Sequence, residues 1–146
     1  FAAGPLPVIE AMGILQAQSA THITSFVQPA AVEALKQTPA EFQPRLREMQ
    51  ARRDLTVRLL RTVPGLTLDV PEGAFYAFPD VSVFCKKLGG GSELLAEHLL
   101  KEAGVALVPG KPFGDDGKIR ISFAKDLKTL EIGLNRICGA LQKISP

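Results

Sequence analysis

The chain has 146 residues, of which 46% are hydrophobic and 22% charged. That length suits one compact domain, or one domain with part of another, and the apolar content excludes a disordered polymer. Lys and Arg total 17 against 15 Asp and Glu, a net charge of +2 that demands neither a nucleic acid nor a membrane surface as partner, and no apolar run approaches the ~20 residues of a membrane span.

The chain starts at Phe1 and runs into Ala2-Ala3-Gly4-Pro5 with neither a basic nor an apolar leader, so it is expected to be preceded by other residues in its parent. Gly4-Pro5 opens a helix, because proline is tolerated in the first turn. Val8, Met12 and Leu15 carry its apolar stripe to about Gln18. The polar run from Gln18 to Ser25 reads as a loop, and Pro29 starts a short helix through Leu35. Thr38-Pro39-Ala40-Glu41 has the form of a capping box. Behind it Leu46, Met49, Arg53, Val57 and Leu60 keep helical spacing, which predicts one long helix to about Thr62, with Pro44 as a point of kinking. Pro64-Gly65 ends it.

From there the pattern changes. Leu66–Val70 and Ala74–Phe78 alternate as strands around a Pro71-Glu72-Gly73 turn. Gly89-Gly90-Gly91 reads as a flexible loop. Ser92 is expected to cap a helix that runs to Ala103, with Leu95 and Leu99 inward and Gly104 as its left-handed terminator. Val105–Val108 is expected to be a short buried strand, residues 109–114 a loop, and Asp115-Asp116-Gly117 a turn. Lys118–Phe123 alternates cleanly, with Ile119, Ile121 and Phe123 on one face and Lys118, Arg120 and Ser122 on the other. A last helix begins near Asp126, striped by Leu127, Leu130, Leu134, Ile137 and Leu141. Residues 1–37 therefore read as the tail of one unit, 38–62 as a connecting helix and 63–146 as a small α+β domain with its own core.

Few side chains suggest chemistry. Cys85 and Cys138 match no metal spacing and read as buried thiols of a reducing compartment. With no tryptophan and Tyr76 the only tyrosine, stacking surfaces for single strands are scarce. Nucleotide, zinc-protease and dithiol signatures are missing. His98 falls inside a helix pattern; His22, in the polar loop, is either structural or a ligand. Gly89-Gly90-Gly91-Ser92 is either a phosphate cradle or a flexible loop with a cap. Arg45, Arg47, Arg52, Arg53, Arg58 and Arg61 load the connecting helix, but on several faces, which favours a solvated or interdomain helix over a nucleic-acid contact. Arg120 stands apart. A mid-strand arginine needs water or a carboxylate, and its fork matches a carboxylate in two parallel bonds. That carboxylate belongs either to a structural ion pair or to an anionic ligand.

Several motifs together resemble one family. Pro71-Glu72-Gly73-Ala74-Phe75-Tyr76 resembles the P-x-G-x-F-Y strand of the class I aminotransferases, pyridoxal-phosphate enzymes of fold type I. Val108-Pro109-Gly110 with Phe113-Gly114 resembles their V-x-P-G-x-x-F-G loop. Ile119-Arg120-Ile121-Ser122-Phe123-Ala124 resembles their I-R-[LI]-S-[FY]-[AS] strand. Ala3-Gly4-Pro5, Gln18-Ser19, Thr24-Ser25 and Ala31–Leu35 resemble the stretch after the cofactor lysine. The matches keep the family's order over nearly the whole chain, and the likeness is greatest to the bacterial aspartate-aminotransferase-like branch.

The resemblance implies an α/β fold of fold type I. It makes residues 1–37 the end of the large cofactor-binding domain, 38–62 the interdomain helix and 63–146 the small C-terminal domain. It implies that Arg120 grips the substrate α-carboxylate, that Phe75, Tyr76 and Phe113 pack or close over substrate, and that Ser19–Ser25 lie near a dimer interface. The parent would then be a cytoplasmic homodimer using pyridoxal 5'-phosphate to move an amino group between an L-amino acid and a 2-oxo acid, with no nucleic acid or membrane partner. The family's Schiff-base lysine belongs to an S-K-x-x-x-x-G-W-R-x-G motif that this chain lacks. The phosphate-binding arginine and the aspartate on the pyridinium nitrogen would also lie upstream, so the chain alone is expected to be inactive. The alternative is a non-catalytic domain with the small-domain fold that binds a carboxylate or a protein. Related chemistry, β-elimination or decarboxylation, stays open within the enzyme class, and nothing here sets amino-donor specificity.

Overall fold

The computed structural model describes residues 2–144. The backbone divides into two compact units that meet between Gln43 and Pro44. The first holds α1 (Leu6–Ser19) and α2 (Val27–Lys36). Pro5 and Pro7 set the start of α1, as expected of proline at a helix entry. The turn before α2 closes through the Val27 N–H on the Thr24 carbonyl at 2.9 Å. Neither helix buries a residue, and Leu15 of the expected stripe is 70% exposed.

The long helix α3 runs Pro39–Leu60 and continues through Pro44. At its start the Glu41 carboxylate accepts the Thr38 N–H at 2.5 Å and the Thr38 hydroxyl at 2.9 Å. These bonds hold the Glu41 carboxyl below its usual range, the backbone N–H first and the hydroxyl second. The second unit's core begins late in α3, with Thr56, Val57 and Leu60.

The sheet has three short antiparallel strands in the order β1 (Tyr76–Ala77), β3 (Ile119–Ser122), β2 (Val108–Pro109). Tyr76 stands opposite Ser122, and Val108 opposite Arg120. The inward face carries Ile119, Ile121 and Phe123, all buried, as the alternation requires. Against it lie α4 (Ser82–Leu88), α5 (Ser92–Ala103) and α6 (Leu127–Ile144). Phe84, Leu95, Leu99, Leu134, Ile137 and Leu141 fill the space at 0 to 1% exposure. Removing side chains of that size from water is the main favourable term in such a unit. Asp126 starts α6 by accepting the Thr129 N–H at 2.9 Å, and Gly104 ends α5 at φ 64°.

Four expectations need correction. Leu66–Val70 forms no strand. Only Thr67 bridges, to Asp80, and the Leu68 carbonyl is taken by the Arg61 guanidinium at 2.8 and 3.2 Å instead of by a neighbouring strand. The alternation there reports which side is buried and not a ladder, since Leu66 and Leu68 are buried all the same. The expected strand 74–78 shrinks to two residues between a left-handed Ala74, φ 57°, and Pro79, which has no N–H to donate. The strand expected at 105–108 is shifted to Val108–Pro109 and is not buried. Helix α4 is an element that the sequence reading lacks, although Val81, Phe84, Cys85 and Leu88 have the spacing of an inward face.

Candidate functional site

Arg120 stands on the outward side of β3, half-buried, between inward-facing Ile119 and Ile121. Tyr76 pairs with Ser122, two residues along on the same face, so its ring lies diagonal to Arg120. The Arg120 Cζ sits over the Tyr76 ring, 4.5 Å from its centroid. It also sits over the Phe113 ring at 4.7 Å. Phe75 joins through Tyr76, their centroids 4.3 Å apart, and Phe78 meets Phe113 edge-on at 6.1 Å. The four residues singled out in the sequence therefore form one group around a guanidinium. Among the described residues no carboxylate pairs with it. Of the two sources of negative charge left open by the sequence, the structural ion pair is not formed.

Phe113 reaches the group from a short 3-10 turn, Lys111–Phe113. Two tight closures make that turn. The Gly110 N–H donates to the Lys118 carbonyl at 2.8 Å, and the Phe113 N–H donates to the Gly110 carbonyl at 2.7 Å. A Cβ on Gly110 would meet the Asp115 and Lys118 carbonyl oxygens at 2.3 and 2.4 Å, so only glycine permits this approach.

The loop is also fastened to α5, through residues that no sequence motif connects. The Ser92 N–H donates to the Asp116 Oδ1 at 2.9 Å, and the Ser92 hydroxyl donates to the same oxygen at 2.7 Å. The Lys111 N–H donates back to the Ser92 hydroxyl at 3.1 Å. Lys111 Nζ lies 2.7 Å from Glu93. Asp116 is held below the ordinary carboxylate range, by the Ser92 hydroxyl first and its N–H second. Ser92 is thus the first residue of α5 and not its side-chain cap; Asp116, from 24 residues away, does the capping. A carboxylate at the positive end of a helix is favourable.

The same contact answers the glycine run. A Cβ on Gly91 would come within 2.2 Å of the Asp116 carboxylate, so the place where an anion would sit against α5 is already filled. A negative group there repels a phosphate. Gly89-Gly90-Gly91-Ser92 is therefore no phosphate cradle. The remaining candidates carry little. His22 Nδ1 contacts the Ile23 carbonyl at 2.8 Å. Arg52 and Arg53 pair with Glu48 and Asp54, which offsets charge on α3. No group of metal-ligating side chains occurs among the described residues, and none of their helices is long and apolar enough to cross a membrane. Burial raises both thiols, Cys85 and Cys138.

Comparison with known proteins gives a consistent picture. A family model described as aminotransferase class I and II matches residues 1–137. A probable aspartate/prephenate aminotransferase of Aquifex aeolicus is 40% identical over 146 residues, covering 99% of this chain and 37% of that protein. The aspartate/prephenate aminotransferase of Cereibacter sphaeroides is 42% identical, over 97% of this chain and 36% of its own. The crystal structure of an aspartate aminotransferase from Rhizobium meliloti superposes with a TM-score of 0.79 at 36% identity, over 96% of this chain and 36% of that one. The chain spans little more than a third of the length of each.

Proposed function

We propose, from the premise that this chain belongs to the class I and II aminotransferases and has the fold-type-I architecture, that it serves as the carboxylate-gripping part of a longer transaminase. In this reading residues 1–37 close the large domain, 38–62 connect, and 63–146 form the small domain. Arg120 holds the α-carboxylate of an L-amino acid and, in the return half-reaction, of a 2-oxo acid. The observation that supports it is the Arg120 guanidinium: outward on β3, flanked by two rings and paired with no carboxylate among the described residues. A permanently charged planar fork in that condition is ready for a bidentate acid. Phe75, Tyr76 and Phe113 group beside it as an apolar flank.

The carboxylate clamp contributes orientation. Fixing one end of the amino acid aligns its α C–H bond for proton removal, an effect that reaches several kcal/mol in favourable cases. The electron sink for that step is pyridoxal phosphate, held by a lysine, an arginine and an aspartate that this reading assigns to the remainder of a cytoplasmic, homodimeric parent. The names of the relatives make aspartate the first donor to try.

The test is Arg120→Lys in the full-length parent. The expected result is a loss of about 30-fold or more in kcat/KM, since a lysine cannot reproduce the fork and one lost charge-assisted contact of this kind costs about 2–5 kcal/mol. The 146-residue chain run beside it, with pyridoxal phosphate added, is expected to show neither turnover nor a new visible absorption band. Undiminished turnover by the lysine variant would refute the assignment of Arg120.

A further inference from the structure

A guanidinium on a long, flexible stem has many orientations, and only those that turn its N–H edge toward the substrate are productive. Arg120 carries two rings close to its Cζ, at 4.5 Å for Tyr76 and 4.7 Å for Phe113. Attraction between the cation and the π faces holds the group against them. A cation held by ring attraction spends none of its N–H donors on a partner acid, which leaves them for a substrate carboxylate. The two rings also come from different parts of the chain. Tyr76 is placed by its register on β3, whereas Phe113 is placed by the 3-10 turn that Ser92 and Asp116 fasten to α5.

We infer that Tyr76 and Phe113 are positioning residues that clamp the Arg120 guanidinium with its N–H edge presented to the carboxylate, and that the Ser92–Asp116 fastening keeps Phe113 in place for this. The inference rests on the reading of Arg120 as the carboxylate anchor. It gives the two aromatics a role through the arginine and not through contact with substrate. Preorganising the fork lowers the cost of ordering it on binding, so the effect belongs to affinity more than to turnover.

The test has two parts. In the full-length enzyme, Phe113→Leu and Tyr76→Leu are expected to raise KM for the amino acid, and the Kd for succinate measured by calorimetry, by about 3- to 10-fold each. The rise in KM should outpace any fall in kcat. Phe113→Trp and Tyr76→Phe, which keep a ring, should restore most of the loss. In the 146-residue chain itself, the Arg120 Nε–H resonance should show an upfield ring-current shift that Phe113→Leu reduces. Phe113 is 50% exposed, so its truncation leaves the core intact. If Arg120→Gln abolishes succinate binding while both leucine variants bind it normally, the clamp is overturned and the anchor stands. If Arg120→Gln also binds normally, the anchor itself is wrong and the clamp falls with it. An Arg120 Nε–H shift indifferent to Phe113→Leu would overturn the clamp without touching the anchor.

Discussion

Ala74 adopts φ 57°, a left-handed conformation that costs an L-residue about 1–2 kcal/mol. It sits where the chain must reverse after Pro71-Glu72-Gly73, so that the Phe75 carbonyl can accept the Phe123 N–H at 2.9 Å and Tyr76 can pair with Ser122. The strain thus sets the register that brings the Tyr76 ring to Arg120. Its methyl borders an open hollow shared with Met49 and Phe123, so added atoms would find room and the backbone angle alone decides the outcome. Ala74→Gly is expected to stabilise the chain by about 0.5–1 kcal/mol, relief of strain exceeding the added unfolded entropy. Ala74→Val should destabilise it by about 1–2 kcal/mol, because β-branched residues resist positive φ. Urea midpoints of the two variants check the order, and a valine variant as stable as the glycine one would mean that the angle is not held in solution. Alanine has no preference for this region, and for that reason the turn geometry was illegible in the sequence. Arg120 was legible, because Ile119, Ile121 and Phe123 leave it only the outward face.

The link between the loop 110–117 and α5 is an electrostatic device, and its pH response follows from Asp116. The Ser92 hydroxyl and N–H lower the Asp116 pKa in the folded chain. A carboxyl depressed by folding contributes stability that is complete above its unfolded value, near about 3.9, and is lost as pH falls through the lower folded value. Asp116→Asn is therefore expected to lower the urea midpoint at pH 7. The gap from the native chain should begin to close as pH falls below about 4 and should vanish once pH has passed the lower folded value, where the native carboxyl is neutral as well. A gap that stays constant down to pH 3 would show that the depression is absent. Sequence patterning found the end of α5 and its start to within one residue, and could not find its cap. Local rules expect the cap at the helix start, and here the acid arrives from a turn 24 residues away. Leu66–Val70 departs from its expected strand for a similar reason. Its side chains alternate as a strand's do, but its carbonyl at Leu68 is spent on Arg61, and hydrogen-bond partners are not visible in a hydropathy pattern. The resemblance that carried the family assignment came from short motifs at turns and strand ends, where backbone geometry or ligand chemistry restricts residue choice more tightly than core packing does.

Across the molecule, burial is unevenly distributed. All of the buried side chains among the described residues lie between Thr56 and Leu141. Val8, Met12 and Leu15 do not single out an apolar face of α1, because Leu6 and Ile14 stand on its opposite side, and periodicity says which face seeks cover and not what covers it. In this chain Leu6, Ile14, Leu15, Phe26 and Leu35 are largely exposed. Helices of 14 and 10 residues without a buried face are marginal in water. The amides of α1 and α2 are therefore expected to exchange with solvent far faster than those of α5, α6 and β3, whose protection should approach the global unfolding limit. Deleting residues 1–37 keeps Thr38 and Glu41 at the start of α3 and removes no buried side chain. The shortened chain should unfold in one cooperative urea transition with a midpoint within about 0.3 M of the parent chain and a similar slope, since little protected surface is lost. A large drop in midpoint would mean that α1 and α2 contribute to the stability of the core. A shared midpoint would make residues 38–146 a self-sufficient scaffold, on which the geometry around Arg120 can be examined by itself.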